Sequence, residues 1–296
     1  MPIPLLLVAT LSANLLSNIF RTRFSRRKDV RSFDHHFFNT LVSLVSAVTV
    51  LLLFHSRMTF SATTVFLGLL FGAVNAIQQI TFSQALSIGT LSYTYMIMSM
   101  STVLSALSGA VFWQEELDLL SVVGLALMVV CLLLAVKKEE GEKRAVSLRW
   151  LILSLIACLA TAAIGILQKT HQESDVRAEL YSFLFIAFLF SLFFSLPFFI
   201  VGLRSQKRET REHSFWKGVQ PYWGVLILCG LCIAANHMIN LYLSGVMDSA
   251  VMFPVVNGGG LILSTLASLL LFKERLSGRQ WIGIAFGVAA VTMLCI

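Results

Sequence analysis

Almost every Lys and Arg of this 296-residue chain falls in a gap between two long apolar runs, and the gaps alternate between strongly basic and nearly uncharged. Ten runs can be marked, at residues 2–20, 37–54, 62–85, 92–113, 119–136, 149–168, 180–203, 222–243, 249–272 and 280–296. At about 1.5 Å rise per residue, each crosses or nearly crosses a hydrocarbon core of about 30 Å. The pattern predicts an all-α fold, a polytopic membrane protein with ten transmembrane helices.

Charge in the gaps orients the runs. With the N-terminus outside, the inner side holds Arg21, Arg23, Arg26, Arg27, Lys28 and Arg31, then the clusters around Lys137 and Arg144, Lys207 and Arg211, and Lys273 and Arg279. The outer side keeps only Arg57, Lys169 and Arg177 of the 22 basic residues. The positive-inside rule therefore puts both termini on the external face of a cell (inner) membrane. A miscounted run would scramble this split, so the asymmetry also supports the number ten.

The chain is 57% hydrophobic and only 12% charged, which makes lipid its solvent. Its net charge of +7 is accounted for by basic loops beside membrane spans, so nucleic acid is not an expected partner. The first run has no basic segment before it and a dense one after it, the reverse of a cleavable signal peptide, and is expected to stay as the first helix. Cys131, Cys158, Cys229, Cys232 and Cys295 all lie in or at the ends of apolar runs and read as small buried residues. Cys229 and Cys232 form a C-x-x-C inside the eighth run, without a second ligand pair. His35 and His36 stand at the start of the second run and H-E-x-x-H is absent, so no metal or other cofactor is expected.

The chain also resembles itself. Lys28-Asp29-Val30-Arg31 after the first run matches Ser174-Asp175-Val176-Arg177 after the sixth. Trp113-Gln114-Glu115-Glu116-Leu117, followed by Gly124 and Ala126, matches Phe272-Lys273-Glu274-Arg275-Leu276, followed by Gly283 and Ala285. Two copies, 1–143 and 144–296, each hold five runs, an odd number that sends the second copy into the membrane from the opposite side. Inverted repeats are an architecture of alternating-access carriers, whose halves rock about a site near the midplane.

With ten runs, inverted halves and a Trp/Phe-x-Glu-x-Leu segment closing the fourth run of each half, the chain resembles the drug/metabolite transporter superfamily, in particular its EamA-type members, over essentially its whole length. The resemblance implies a central cavity lined mainly by helices one, three, four, six, eight and nine, with five and ten at the periphery. It also implies secondary transport of small metabolites, often export.

Polar side chains inside the runs locate the expected cavity, because in hydrocarbon each must find a partner or water. Asn14 and Asn18 stand four apart in the first run, as do Asn236 and Asn240 in the eighth, while Asn75, Gln78 and Gln79 share one stripe of the third. Packing glue is the competing role for such amides. The ninth run carries Phe253-Pro254-Val255-Val256-Asn257-Gly258-Gly259-Gly260, which predicts a helix kinked or locally opened near mid-membrane, with Asn257 at the opening. The fourth run sets Tyr93, Tyr95, Ser99 and Ser101 among Met96, Met98 and Met100, an adaptable surface or plain core. His237 lies well inside a run and is a candidate proton carrier, or a neutral imidazole bonded to a neighbouring helix. Glu115 and Glu274 read as interfacial capping or pairing groups, and Asp248 as the cap of the ninth helix.

No Asp, Glu, Lys or Arg falls deep in any run as drawn, and Lys169, the nearest cation, stands alone. That disfavours a multidrug or cation efflux carrier, which remains the alternative, and favours a neutral or zwitterionic solute such as an amino acid, nucleoside or vitamin-like compound. Its expected site is Asn14, Asn18, Gln78, Gln79, Tyr95, Asn236, His237, Asn240 and Asn257. Expected partners are that solute, the lipid bilayer and, through His237, a proton as coupling ion; the expected state is a monomer or weak homodimer. A membrane-embedded lipid-modifying enzyme would need carboxylate or metal motifs that the sequence lacks. A scaffold or receptor would need a soluble domain, and the longest gap between runs, 204–221, spans only 18 residues.

Overall fold

The computed structural model describes residues 2–27, 30–89, 91–116, 119–135, 148–204, 219–273 and 278–294. Helical segments fall on all ten runs. They are α1 (Ile3–Ser25), α2 (Ser32–Phe54), α3 (Ala62–Ile88), α4a (Leu91–Ser99) and α4b (Ser101–Trp113), α5 (Leu119–Ala135), α6 (Leu148–Gln172), α7 (Leu180–Arg204), α8 (Trp223–Ser244), α9a (Ser249–Phe253) and α9b (Gly259–Phe272), and α10 (Gly278–Leu294). Among the described residues there are seven helices long and apolar enough to cross a membrane, on the first three runs and the sixth to ninth, together with a shorter apolar one, Ile97–Trp113. The chain is an all-α, multi-pass integral membrane protein. Of the segments read as repeated, Lys28, Asp29, Leu117, Glu274, Arg275 and Leu276 lie outside the described residues, as do Cys295 and the basic loops 136–147 and 205–218.

Local chemistry sets the helix ends. The Ser61 side chain accepts the Thr64 N–H at the start of α3, and the Asp34 carboxylate accepts the Arg31 N–H at the start of α2. The fourth and ninth helices stop alike, each on a residue in the left-handed region, Gln114 (φ 55°) and Lys273 (φ 52°). Both are also interrupted near their middles. α4 breaks at Met100, which the sequence did not announce. In α9 the segment Pro254–Gly258 forms one wide π turn that leads straight into α9b. The expected irregularity is thus present as a widened turn, through which the backbone stays helical.

Packing pairs the helices in a regular way. α2 lies along α7, and α5 along α10. α3 packs on α6 as α1 packs on α8, and α3 on α7 as α8 on α2; α4a meets α9b, and α4b meets α9a. Gly68 and Gly72 of α3 allow the close approach of α7: a Cβ on Gly72 would stand 2.5 Å from the Ala187 carbonyl oxygen. Asn75, assigned by spacing to the Gln78 and Gln79 stripe, donates instead to Ser191 on α7 at 3.4 Å, and Asn39 of α2 donates to Ser195 at 2.7 Å. These amides are interhelical glue.

The main core is aromatic, built on Phe24, Phe38, Phe71, Phe183 and Phe188 between α1, α2, α3, α6, α7 and α8. The outer surface is apolar as well. Leu119 is 80% exposed, Leu270 78%, Val111 72% and Leu52 71%, among many other exposed large apolar residues, an exterior that suits hydrocarbon rather than water.

Candidate functional site

Six helices, α1, α3, α4, α6, α8 and α9, line a cavity of about 110 Å³. All nine residues expected at the site line it: Asn14 and Asn18 from α1, Gln78 and Gln79 from α3, Tyr95 from α4a, Asn236, His237 and Asn240 from α8, and Asn257 from the wide turn of α9. Four-residue spacing puts Asn14 with Asn18, and Asn236 with Asn240, on one helical face each, and both faces line the cavity.

The amides are already ordered among themselves. Asn14 Oδ1 accepts from Asn18 Nδ2 at 2.7 Å and from the Tyr95 hydroxyl at 3.1 Å. Asn18 Nδ2 also reaches Ser264 Oγ on α9b at 3.3 Å. Where α8 packs on α1, Asn240 Nδ2 donates to Asn236 Oδ1 at 3.2 Å, Asn236 Nδ2 donates to Thr10 Oγ1 at 2.9 Å, and the Thr10 hydroxyl donates to Asn240 Oδ1 at 2.7 Å. This ring of three ties α1 to α8. Gly260 leaves room for the Tyr95 contact, since a Cβ there would lie 2.6 Å from the Tyr95 hydroxyl oxygen. His237 stands edge-on to Phe71 and Phe188, with Gln168 Nε2 3.5 Å from its Nδ1.

The structure corrects the charge reading. α1 runs to Ser25, past the drawn end of its run, and carries Arg21 into the cavity wall at 3% exposure. The Arg21 guanidinium donates to Gln79 Oε1 and lies 4.8 Å from the Phe82 ring centre. Arg21 continues the Asn14 and Asn18 stripe, and that spacing was the available signal. Gln168, Thr161 and Gly165 of α6 were likewise missed; they form one stripe of their own on the cavity side.

Lys169 does not stand alone. It is 5% exposed, its Nζ lies 2.8 Å from Glu115 Oε1 and 3.1 Å from Glu173 Oε1, and it donates to the Met247 carbonyl at 3.3 Å. Glu115 also accepts the Ser249 N–H at 2.8 Å, at the start of α9a. Asp248 occupies the cap position there but forms no side-chain cap bond, so the capping oxygen comes from Glu115, 134 residues earlier. This clasp joins α4b, α6 and α9a at one end of the bundle. A second joins the other end: Arg26 donates to the Gly89 carbonyl at 3.3 Å and lies over the Phe272 ring at 5.1 Å, while Trp150 Nε1 donates to Thr94 Oγ1 at 3.0 Å.

A helical shell with an apolar exterior thus surrounds a polar cavity, with a cluster of interhelical contacts at each end of the bundle. The model of the EamA-like transporter family matches residues 148–296, half of the chain, and the chain belongs to that family. One solved crystal structure is similar over 98% of this chain and 94% of its own, with a TM-score of 0.69 at 15% identity, and shares the fold. No curated protein matches the chain.

Proposed function

We propose that this protein moves a small organic solute across a cell membrane by alternating access, with halves 1–143 and 144–296 as inverted repeats. The carrying observation is the cavity itself, which both halves line in like manner, α1, α3 and α4 from one and α6, α8 and α9 from the other.

Exchange of the halves maps each packed pair onto another: α2 with α7 and α5 with α10 onto themselves, α3 with α6 onto α8 with α1. The matched left-handed stops at Gln114 and Lys273 follow the same relation. These support a two-fold duplication. In such a carrier the Glu115–Lys169 and Arg26–Gly89 clasps act as gates at opposite ends, opened one at a time by rocking of the halves.

Purified protein in liposomes tests the reading. A carrier accumulates labelled solute when the vesicles are preloaded with the same unlabelled solute, and the label equilibrates faster than by leak. Absence of such exchange for amino acids, short organic acids, nucleosides and vitamins, from well-folded protein, overturns it.

A further inference from the structure

Resting on the carrier reading, a further inference concerns the charge of the solute. Arg21 is buried in the cavity wall, and a buried guanidinium is costly unless an opposite charge or full hydrogen bonding offsets it. Its contacts are neutral. Gln79 takes one N–H, the Phe82 and Phe38 rings lie 4.8 and 5.6 Å from its Cζ, and its Nε is buried without a partner. Among the described residues that line the cavity there is no Asp or Glu. The buried carboxylates elsewhere are engaged, Asp34 with Arg27 and Glu115 with Lys169. The cavity therefore carries a positive charge that none of its lining residues balances.

The amides beside Arg21 have the same bias. Asn14 Oδ1 already accepts two hydrogen bonds and Gln79 Oε1 accepts from Arg21, so what Asn14 and Gln79 have left to offer is chiefly N–H donors. A planar guanidinium flanked by donors matches the two oxygens of a carboxylate. One positive charge balances one negative charge; a phosphate dianion would leave a net negative charge among neutral amides. We infer that the transported solute bears a carboxylate, which docks on Arg21 within reach of Asn14 and Gln79. The occupant is thus an organic acid with a single carboxylate; uncharged nucleosides and lipophilic cations are excluded, and an amino acid would leave its ammonium unbalanced.

The experiment compares matched acids and amides by thermal unfolding of the purified full chain: propionate and lactate against propionamide and lactamide, with inorganic phosphate as a separate arm. At least one carboxylate is expected to raise the unfolding midpoint saturably while its amide does not. Arg21→Gln is expected to weaken that acid at least tenfold, with Arg21→Lys retaining part of the affinity. The acid and amide comparison is made on the unaltered protein, so it stands even if Arg21→Gln folds poorly. Equal binding of acid and amide, stabilisation by phosphate alone, no stabilisation by any carboxylate, or unchanged affinity in folded Arg21→Gln each overturns the inference. Flux into liposomes separates this from the carrier reading. A carboxylate that binds through Arg21 but is not moved overturns the carrier and leaves the site; an uncharged solute moved equally well by Arg21→Gln overturns the site and leaves the carrier.

Discussion

The Lys169 ammonium lies 2.8 Å from the Glu115 carboxylate, with the two side chains 6% and 9% exposed. The pair crosses from α6 to α4b, and Glu115 also holds the start of α9a through Ser249. Removing one partner from a buried ion pair leaves the other charge uncompensated. Glu115→Gln and Lys169→Met are each expected to lose about 3 kcal/mol, and the double variant to lose less than the sum. A double-mutant cycle by thermal unfolding in detergent measures the coupling; additive losses contradict a coupled pair.

Gly72 of α3 faces the α7 backbone, and the nearest obstacle to a new Cβ is a carbonyl oxygen, which cannot rotate away. Gly72→Ala is expected to destabilise the fold by about 1–3 kcal/mol through overpacking. An unchanged unfolding midpoint would show that α3 and α7 are not so closely pressed.

The Thr10, Asn236 and Asn240 ring is polar but internally satisfied, so its energetic weight should be that of ordinary interhelical bonds. Thr10→Val and Asn240→Leu are expected to show a coupling of about 0.6 kcal/mol. A coupling several times larger, again from unfolding, would make this ring a structural keystone.

Gly260 separates site geometry from stability. A methyl group there meets the Tyr95 hydroxyl, which donates to Asn14 in the cavity wall. Gly260→Ala is expected to leave the protein folded and to slow solute flux about tenfold, with Tyr95→Phe giving a smaller loss. Wild-type flux in Gly260→Ala would remove Tyr95 from the site.

His237 is packed between two aromatic rings and beside Gln168. That setting suits a neutral, hydrogen-bonded imidazole, so His237→Gln is expected to leave the pH profile of initial flux unchanged between about pH 5.5 and 8. A profile that flattens in the variant would instead assign proton coupling to this residue.

Much of the arrangement was legible because helical periodicity survives in lipid. Asn14 with Asn18, and Asn236 with Asn240, are fixed to one face by spacing alone, and that face turned out to line the cavity. What spacing did not reveal was the partner across the interface. Asn75 sits on the same stripe as Gln79 yet bonds to Ser191, a choice made by the approach of α7. Arg21 was lost because hydropathy ended its run one residue early, although the helix continues to Ser25. Lys169 and Glu115 were individually visible, but a contact spanning 54 positions has no local signature. In α9 the proline and glycines signalled irregularity correctly, while its form, a single wide turn that packs against α1, α4b, α5 and α10, has no local signature.

Gate motion is the most direct test of the whole account. Spin labels at Glu116→Cys and Asp248→Cys report the end clasped by Glu115 and Lys169, and labels at Ser87→Cys and Arg149→Cys report the end near Gly89 and Trp150, in a background lacking the native cysteines. Pulsed electron resonance is expected to give two distances at each end, and Glu115→Gln should lengthen the first pair while shortening the second. Single, unchanged distances at both ends, or distances that lengthen together, would contradict a cavity that opens to one face at a time.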